Sequence, residues 1–405
     1  MAHRKINTAR QLASRFFASD GGKAVMLAVG WQLMMTVMGI IFDSTLNNIF
    51  QRPASPEPHG MLGHTLRWDA GWYQAIVHGA YADPASASPV FYPLFPLMVW
   101  LLDGLSFGLL GEPLSALIIN TAATACIILA LARIAEHFVG RKHRWWLPAI
   151  FLTSPAAIFL HFFYTEAIFC AVGFWAYLFA LQRRWWAMGL ALAVLTAVRL
   201  PAILFVALCG LEFIRAYGWN IRQTLNRNLL WFLLAPLGFV LYGLYLQLVR
   251  GDFLLMLHAY KLTDDWPYQV FNPNIFELYR ETARRVRDAL LTPVPFDEGI
   301  FVNLLLPMIG LMVLFAAAVY SLWYKRKAGI PLAVFGILAM VMFSLNSNLI
   351  SVNRYLLPCI VIYIAILHLS LRRGWLRPVT YGCIYVGILL QAYLYILFVN
   401  NYFAG

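Results

Sequence analysis

The chain has 405 residues, of which 61% are hydrophobic and only 12% are charged, with a mean hydropathy of +0.70. That leaves too little polar surface for a soluble globule and implies an all-α, polytopic membrane protein. The formal net charge of +12 does not point to nucleic acid, because the basic residues stand in short clusters between apolar runs, as they do in cytoplasmic membrane loops.

Taken in order, residues 1–23 carry Arg4, Lys5, Arg10, Arg15 and Lys23 ahead of an uncharged run at 24–42, long enough to cross a bilayer at 1.5 Å per residue. The basic flank keeps the N-terminus cytoplasmic, and the run is too long for a signal-peptide core. A first hydrophilic loop follows at 43–112. It holds Arg67-Trp68-Asp69-Ala70-Gly71-Trp72-Tyr73, where a carboxylate is packed among aromatic residues at a membrane surface.

Positive charge orients the rest. The clusters Arg141-Lys142-His143-Arg144, Arg183-Arg184, 215–227, Lys325-Arg326-Lys327 and Arg372-Arg373 with Arg377 can all be placed inside by one topology. It leaves 43–112, the Tyr164-Thr165-Glu166 turn, the Arg199-Leu200-Pro201 turn, 250–299 and 346–354 outside. Two conditions follow. Residues 90–110, with Pro93, Pro96 and Asp103, must lie on the surface or re-enter rather than cross. Residues 187–211 must form a hairpin broken at Pro201, with arms of about 18 Å, shorter than the hydrocarbon layer of about 30 Å.

Further crossings are expected at 114–132, 145–163, 167–181, 229–249, 300–323, 330–345, 355–371 and 379–399. The total is about 11 helices in a single integral domain over 1–405, ending outside. A second outer loop, 250–299, offers Glu281 with Arg285 and Arg284 with Asp288 at helical spacing, which predicts a surface helix. Its Arg280, Arg284 and Arg287, with His258 and Lys261, belong either to a solvated face or to contacts with lipid or substrate phosphate. Cys126, Cys170, Cys209, Cys359 and Cys383 lie in apolar runs without Cys-x-x-Cys spacing and read as packing residues.

This topology brings Asp69, Glu166, Arg199 and Arg354 to one outer face. A carboxylate there takes a proton from an attacking hydroxyl, while arginines hold a departing phosphate, a combination that suits glycosyl transfer from a lipid phosphate sugar. Each residue also has a structural alternative. Asp69 can cap a helix or pair with Arg67, and Glu166 sits where a helix dipole favours it. Arg199 can serve only to pair with Glu166, and Arg354 can snorkel from a helix end. His161 and Tyr164 read as interior hydrogen-bonding groups.

Several segments together resemble the PIG-V mannosyltransferases of the GT-C membrane glycosyltransferases. They are Arg67-Trp68-Asp69 with Trp72-Tyr73, Phe91-Tyr92-Pro93-Leu94-Phe95-Pro96, Ser154-Pro155-Ala156-Ala157-Ile158-Phe159 before Tyr164-Thr165-Glu166, Val198-Arg199, and Arg354-Tyr355-Leu356-Leu357-Pro358. Ser154-Pro155 stands where the family often has Asn-Pro, and Leu200-Pro201 where Asn-Gly often follows its arginine. The resemblance implies an inverting transferase that moves a hexose, typically mannose, from a polyprenyl-phosphate sugar to a glycolipid or lipid-linked acceptor, with no cofactor and no metal. Asp69 is then the catalytic base. Arg199 and Arg354 are the expected donor-phosphate ligands, and Arg67, Trp68, Trp72, Tyr73, Tyr164 and Glu166 the substrate-binding or orienting set. The expected setting is a prokaryotic plasma membrane, with the endoplasmic reticulum as the alternative. A lipid-linked sugar flippase and a noncatalytic subunit of a glycosylation complex are the competing readings.

Overall fold

The computed structural model describes residues 17–46, 60–263, 271–291 and 298–402. The basic residues Arg4 to Arg15, and parts of both long loops at 47–59, 264–270 and 292–297, lie outside the described residues. Among those described, all regular structure is helical and no strand occurs. An apolar chain in hydrocarbon must pair every backbone N–H and C=O within itself, and the helix does so locally.

The main helices are α1 Asp20–Leu46, α2 Ala70–Val77, α3 Leu94–Leu105, α4 Gly111–Val139, α5 Trp146–Leu152, α6 Glu166–Leu181, α7 Trp185–Leu195, α8 Ala202–Ala216, α9 Leu237–Arg250, α10 Ile275–Leu291, α11 Leu306–Lys325, α12 Ile330–Ser344, α13 Ile360–Leu371 and α14 Leu376–Val399. Five stretches are long and apolar enough to cross a membrane by length and composition: Asp20–Asp43, Gly111–Val139, Arg227–Arg250, Phe301–Ser344 and Leu376–Val399. The expected total of about 11 requires the shorter apolar helices as well. The 12 residues of α3 make about 18 Å of helix, too short to cross.

Prolines break the helix inside three of the expected crossings. In 145–163, α5 stops before Pro155 and a 3-10 turn, Pro155–Leu160, takes over, because proline lacks an N–H and pushes Ser154 out of the helical region. The side chain of Gln391 on α14 donates to both freed carbonyls, those of Leu152 and Ser154, at 2.8 Å. In 229–249 the break falls at Pro236, and Thr196 Oγ1 donates to the carbonyl of Ala235 at 2.7 Å. In 355–371 it falls at Pro358, leaving a short helix, Val352–Tyr355, ahead of α13.

Charge sorts to the two ends of the bundle. At one end Arg144 reaches Asp20 at 2.6 Å and Glu136 at 3.5 Å, and Arg133 reaches Asp20 at 3.0 Å. Lys325 lies 5.6 Å from the ring of Phe138, and Arg372 lies 4.9 Å from the ring of Trp323. Three of the basic clusters used to orient the chain thus share an end. Asp43, Arg67, Asp69, Glu166, Arg199 and Arg354 meet at the other.

Over the second end lies α10, which buries Leu278, Thr282 and Val286 and hydrogen-bonds Ser344 Oγ through Tyr279 Oη at 2.6 Å. Arg284 pairs with Asp288 at 3.8 Å as its spacing predicts, but Glu281 faces Arg284 at 3.9 Å rather than Arg285. Arg280 pairs with Glu277 and Arg287 with Asp288, so this face is a solvated run of local ion pairs. His258 is held by Asp252 at 2.8 Å, and Lys261 lies 6.0 Å from the ring of Tyr260.

Candidate active site

Asp69 stands at the N-cap of α2, yet its side chain makes no capping hydrogen bond. Nor does it pair with Arg67. That guanidinium donates to Asp43 Oδ1 at 2.9 Å, to the carbonyl of Gly63 at 2.8 Å and to that of Val399 at 3.1 Å. Both structural alternatives for Asp69 are therefore absent. Its Oδ2 accepts from Arg354 Nη1 at 2.6 Å instead.

Arg354 also brings Nε to 3.2 Å from Glu166 Oε1, too far off-axis for a hydrogen bond. Glu166 Oε1 in turn accepts from Arg199 Nη1. The four side chains make one line, Asp69, Arg354, Glu166, Arg199, with two positive and two negative charges. Its middle is buried and its ends are open: Arg354 and Glu166 are 6% and 3% exposed, Asp69 and Arg199 19% and 14%. Arg354 does not snorkel. Burial works against its charge, and the carboxylates of Asp69 and Glu166 more than offset that, holding its pKa well above the ordinary guanidinium value.

Aromatic rings frame the line. The ring of Tyr355 lies 5.2 Å from the Arg199 guanidinium and 5.5 Å from that of Arg354, and Tyr164 lies 5.1 Å from Arg354. Tyr164 Oη donates to the carbonyl of Arg67 at 2.9 Å and accepts from the Asp69 N–H at 3.1 Å. With Phe163 N–H donating to the carbonyl of Thr65 at 3.1 Å, this fastens the Asp69 loop alongside the turn that leads into Glu166. Tyr73 is buried, its hydroxyl 3.3 Å from Thr165 Oγ1. Trp72 stacks on Phe91 with ring centroids 5.8 Å apart. Trp68 is exposed and left-handed, with φ of 54°, strain of the kind that collects at functional loops.

The other arginine loop is built on similar lines. Ser351 has φ of 68° and opens the short helix that carries Arg354. Asn353 Nδ2 donates at 2.8 Å to the carbonyl of Val302, which lies in a π-helical turn, Phe301–Leu305. A π turn shifts the backbone pairing and so frees a carbonyl for such use. Two buried atoms inside the site have no hydrogen-bond partner, Glu166 Oε2 and Arg354 Nε. Among the described residues no three His, Cys, Asp or Glu side chains converge as a metal-ligand set.

Across 90% of its length the chain superposes on 62% of ArnT from Cupriavidus metallidurans bound to undecaprenyl phosphate, with a TM-score of 0.54 and 15% identity. This chain adopts the GT-C fold. In sequence it is 32% identical over 151 residues to GPI alpha-1,6-mannosyltransferase 2 of Cricetulus griseus, and equally so to that of Mus musculus. Those matches cover 35% of the chain and span 30% of the relatives' length. No protein family's profile matches the chain.

On this GT-C scaffold Asp69, Tyr73, Tyr164, Glu166, Arg199 and Arg354 are brought together. Arg67 is spatially adjacent, but its guanidinium is committed to Asp43 and to backbone carbonyls, so it anchors the loop. Sequence reasoning passed over Asp43, Asn353 and Tyr355. Asp43 was visible as the first charge after an apolar run and Tyr355 as the neighbour of Arg354. Nothing in the sequence announces the π turn that gives Asn353 its partner.

Proposed function

We propose that this chain is an inverting glycosyltransferase that moves a hexose, mannose by its likeness to the mannosyltransferases, from a polyprenyl-phosphate sugar to a hydroxyl of a glycolipid or lipid-linked acceptor on the extracytoplasmic face. The observation that carries it is the Asp69, Arg354, Glu166, Arg199 line, buried in the middle and open at both ends. ArnT, of the same fold, was captured with undecaprenyl phosphate, which supports a polyprenyl-phosphate donor here.

The donor enters between helices with its phosphodiester at Arg199 and Arg354. Two guanidiniums facing one carboxylate oxygen and one tyrosine ring are pre-organised to take an anion, and guanidinium matches phosphate in a bidentate manner. Asp69 removes the proton of the acceptor hydroxyl, whose oxygen attacks the anomeric carbon opposite the phosphate. The carbon–phosphate oxygen bond breaks, the configuration inverts, and the arginines hold the charge that builds on the leaving phosphate. The orphaned Oε2 of Glu166 accepts from a sugar hydroxyl.

The test uses purified protein in detergent with radiolabelled polyprenyl-phosphate mannose and a panel of glycolipid acceptors. A new glycosidic bond formed without a membrane gradient supports the reading. Failure across the panel, with donor moving between leaflets in proteoliposomes, replaces it with a flippase.

A further inference from the structure

In this structure the candidate base is not free. Asp69 Oδ2 is bound to Arg354 at 2.6 Å, and Arg354 is one of the two cations assigned to the donor phosphate. The four charges of the line sum to zero without any ligand. An anionic ligand therefore arrives at a neutral site and competes with Asp69 for Arg354, because Glu166, 3% exposed and shared with Arg199, stays in place between the two guanidiniums.

We propose that the Asp69–Arg354 pair is a gate opened by the donor phosphate: binding of the phosphodiester takes Arg354 away from Asp69 and only then leaves the carboxylate able to act as a base. The proposal rests on the transferase reading above. While Arg354 Nη1 donates to it, Asp69 Oδ2 is engaged by the guanidinium and not by an incoming hydroxyl. Released, that oxygen is open to the acceptor hydroxyl when the sugar is in place, so acceptor activation waits for the donor.

The charges balance through the cycle. The donor brings one negative charge. The acceptor proton passes to Asp69, the departing monophosphate carries two negative charges between Arg354 and Arg199, and the total is unchanged. Loss of the proton to solvent and of the polyprenyl phosphate to the membrane restores the pair.

The gate makes an unusual prediction for binding. Asp69→Asn reduces the resting partner of Arg354 from a charged acceptor to a neutral one, so the inactive variant binds tritiated undecaprenyl phosphate more tightly than wild type. The expected gain is about tenfold, within the roughly 5–150-fold range of ordinary coupling between competing ligands. Simple relief of like-charge repulsion also predicts a gain, and a double-mutant cycle separates the two. The gate requires the gain to vanish in an Arg354→Gln background; repulsion alone preserves it there. Asp69→Ser serves as a second charge-removing variant, and melting temperatures establish that each protein is folded. An unchanged or weaker affinity in Asp69→Asn, or a gain that survives Arg354→Gln, overturns the gate while leaving the transferase reading standing. Absence of undecaprenyl phosphate binding to wild type removes the polyprenyl-phosphate donor and the gate with it.

Discussion

Asp69→Asn is the most informative change for catalysis because the structure separates its chemical from its structural consequence. The carboxylate sits at the N-cap of α2 but makes no capping bond, and it holds one strong hydrogen bond, to Arg354. Asparagine keeps an oxygen that can accept that bond, and Arg354 keeps Glu166 at 3.2 Å. The stability loss is then at most the roughly 1.5–3 kcal/mol of one hydrogen bond to a charged group. A lost general base lowers the rate by about 10²–10⁴, or roughly 2.7–5.5 kcal/mol of barrier at about 1.4 kcal/mol per tenfold. Initial rates of mannose transfer in detergent, measured beside thermal melts of the same preparation, read both quantities. A folded variant that turns over within about tenfold of wild type would show that Asp69 is not the base. A variant that loses most of its thermal stability would make Asp69 a structural residue.

Glu166→Gln should behave in the opposite way, since it leaves the buried Arg354 and the half-buried Arg199 without their shared anion. A loss of about 3–5 kcal/mol is expected, visible as a large drop in melting temperature, and an unchanged melt would contradict the central position given to Glu166. Arg199→Lys keeps the charge but loses the planar fork, so kcat/KM for the donor should fall about 10–100-fold with little change in the melt; equal activity would remove the bidentate argument. For topology, in a background lacking Cys126 and Cys383, cysteine at the exposed Asp83 should react with an impermeant maleimide in intact cells, and cysteine at the exposed Lys142 only after permeabilisation. The reverse pattern would put the site on the cytoplasmic face.

Much of this was legible in the sequence because charge is costly in an apolar chain. Arg199 between Val198 and Leu200, or Glu166 after Tyr164, needs a partner, and segregating the basic clusters to one side left few candidates on the other. What the sequence concealed was which partner each charge takes. The Arg67 pair with Asp43 spans a loop, and the Arg354 pair with Asp69 spans most of the chain, so neither appears as a local spacing. The breaks inside the crossings were hidden for a different reason. Pro155, Pro236 and Pro358 lie in runs so apolar that hydropathy alone carries a helix through them. The cost of each break is met by side chains on remote helices, such as Gln391, which hydropathy does not register. The π turn at Phe301–Leu305 has no proline and no polar signature beyond Asn303.

The bond from Arg67 to the carbonyl of Val399, together with the two from Gln391, bears on how the protein is made. The loop carrying Asp69 leaves the ribosome early, while α14 comes some 300 residues later. Until that helix inserts, the carbonyls of Leu152 and Ser154 have lost their caps and the anchor of the loop lacks one of its acceptors. The frame is thus closed by a segment translated long after the site it holds, and a nascent chain stalled before α14 would carry every residue of the acid–arginine line without the frame that holds it in register.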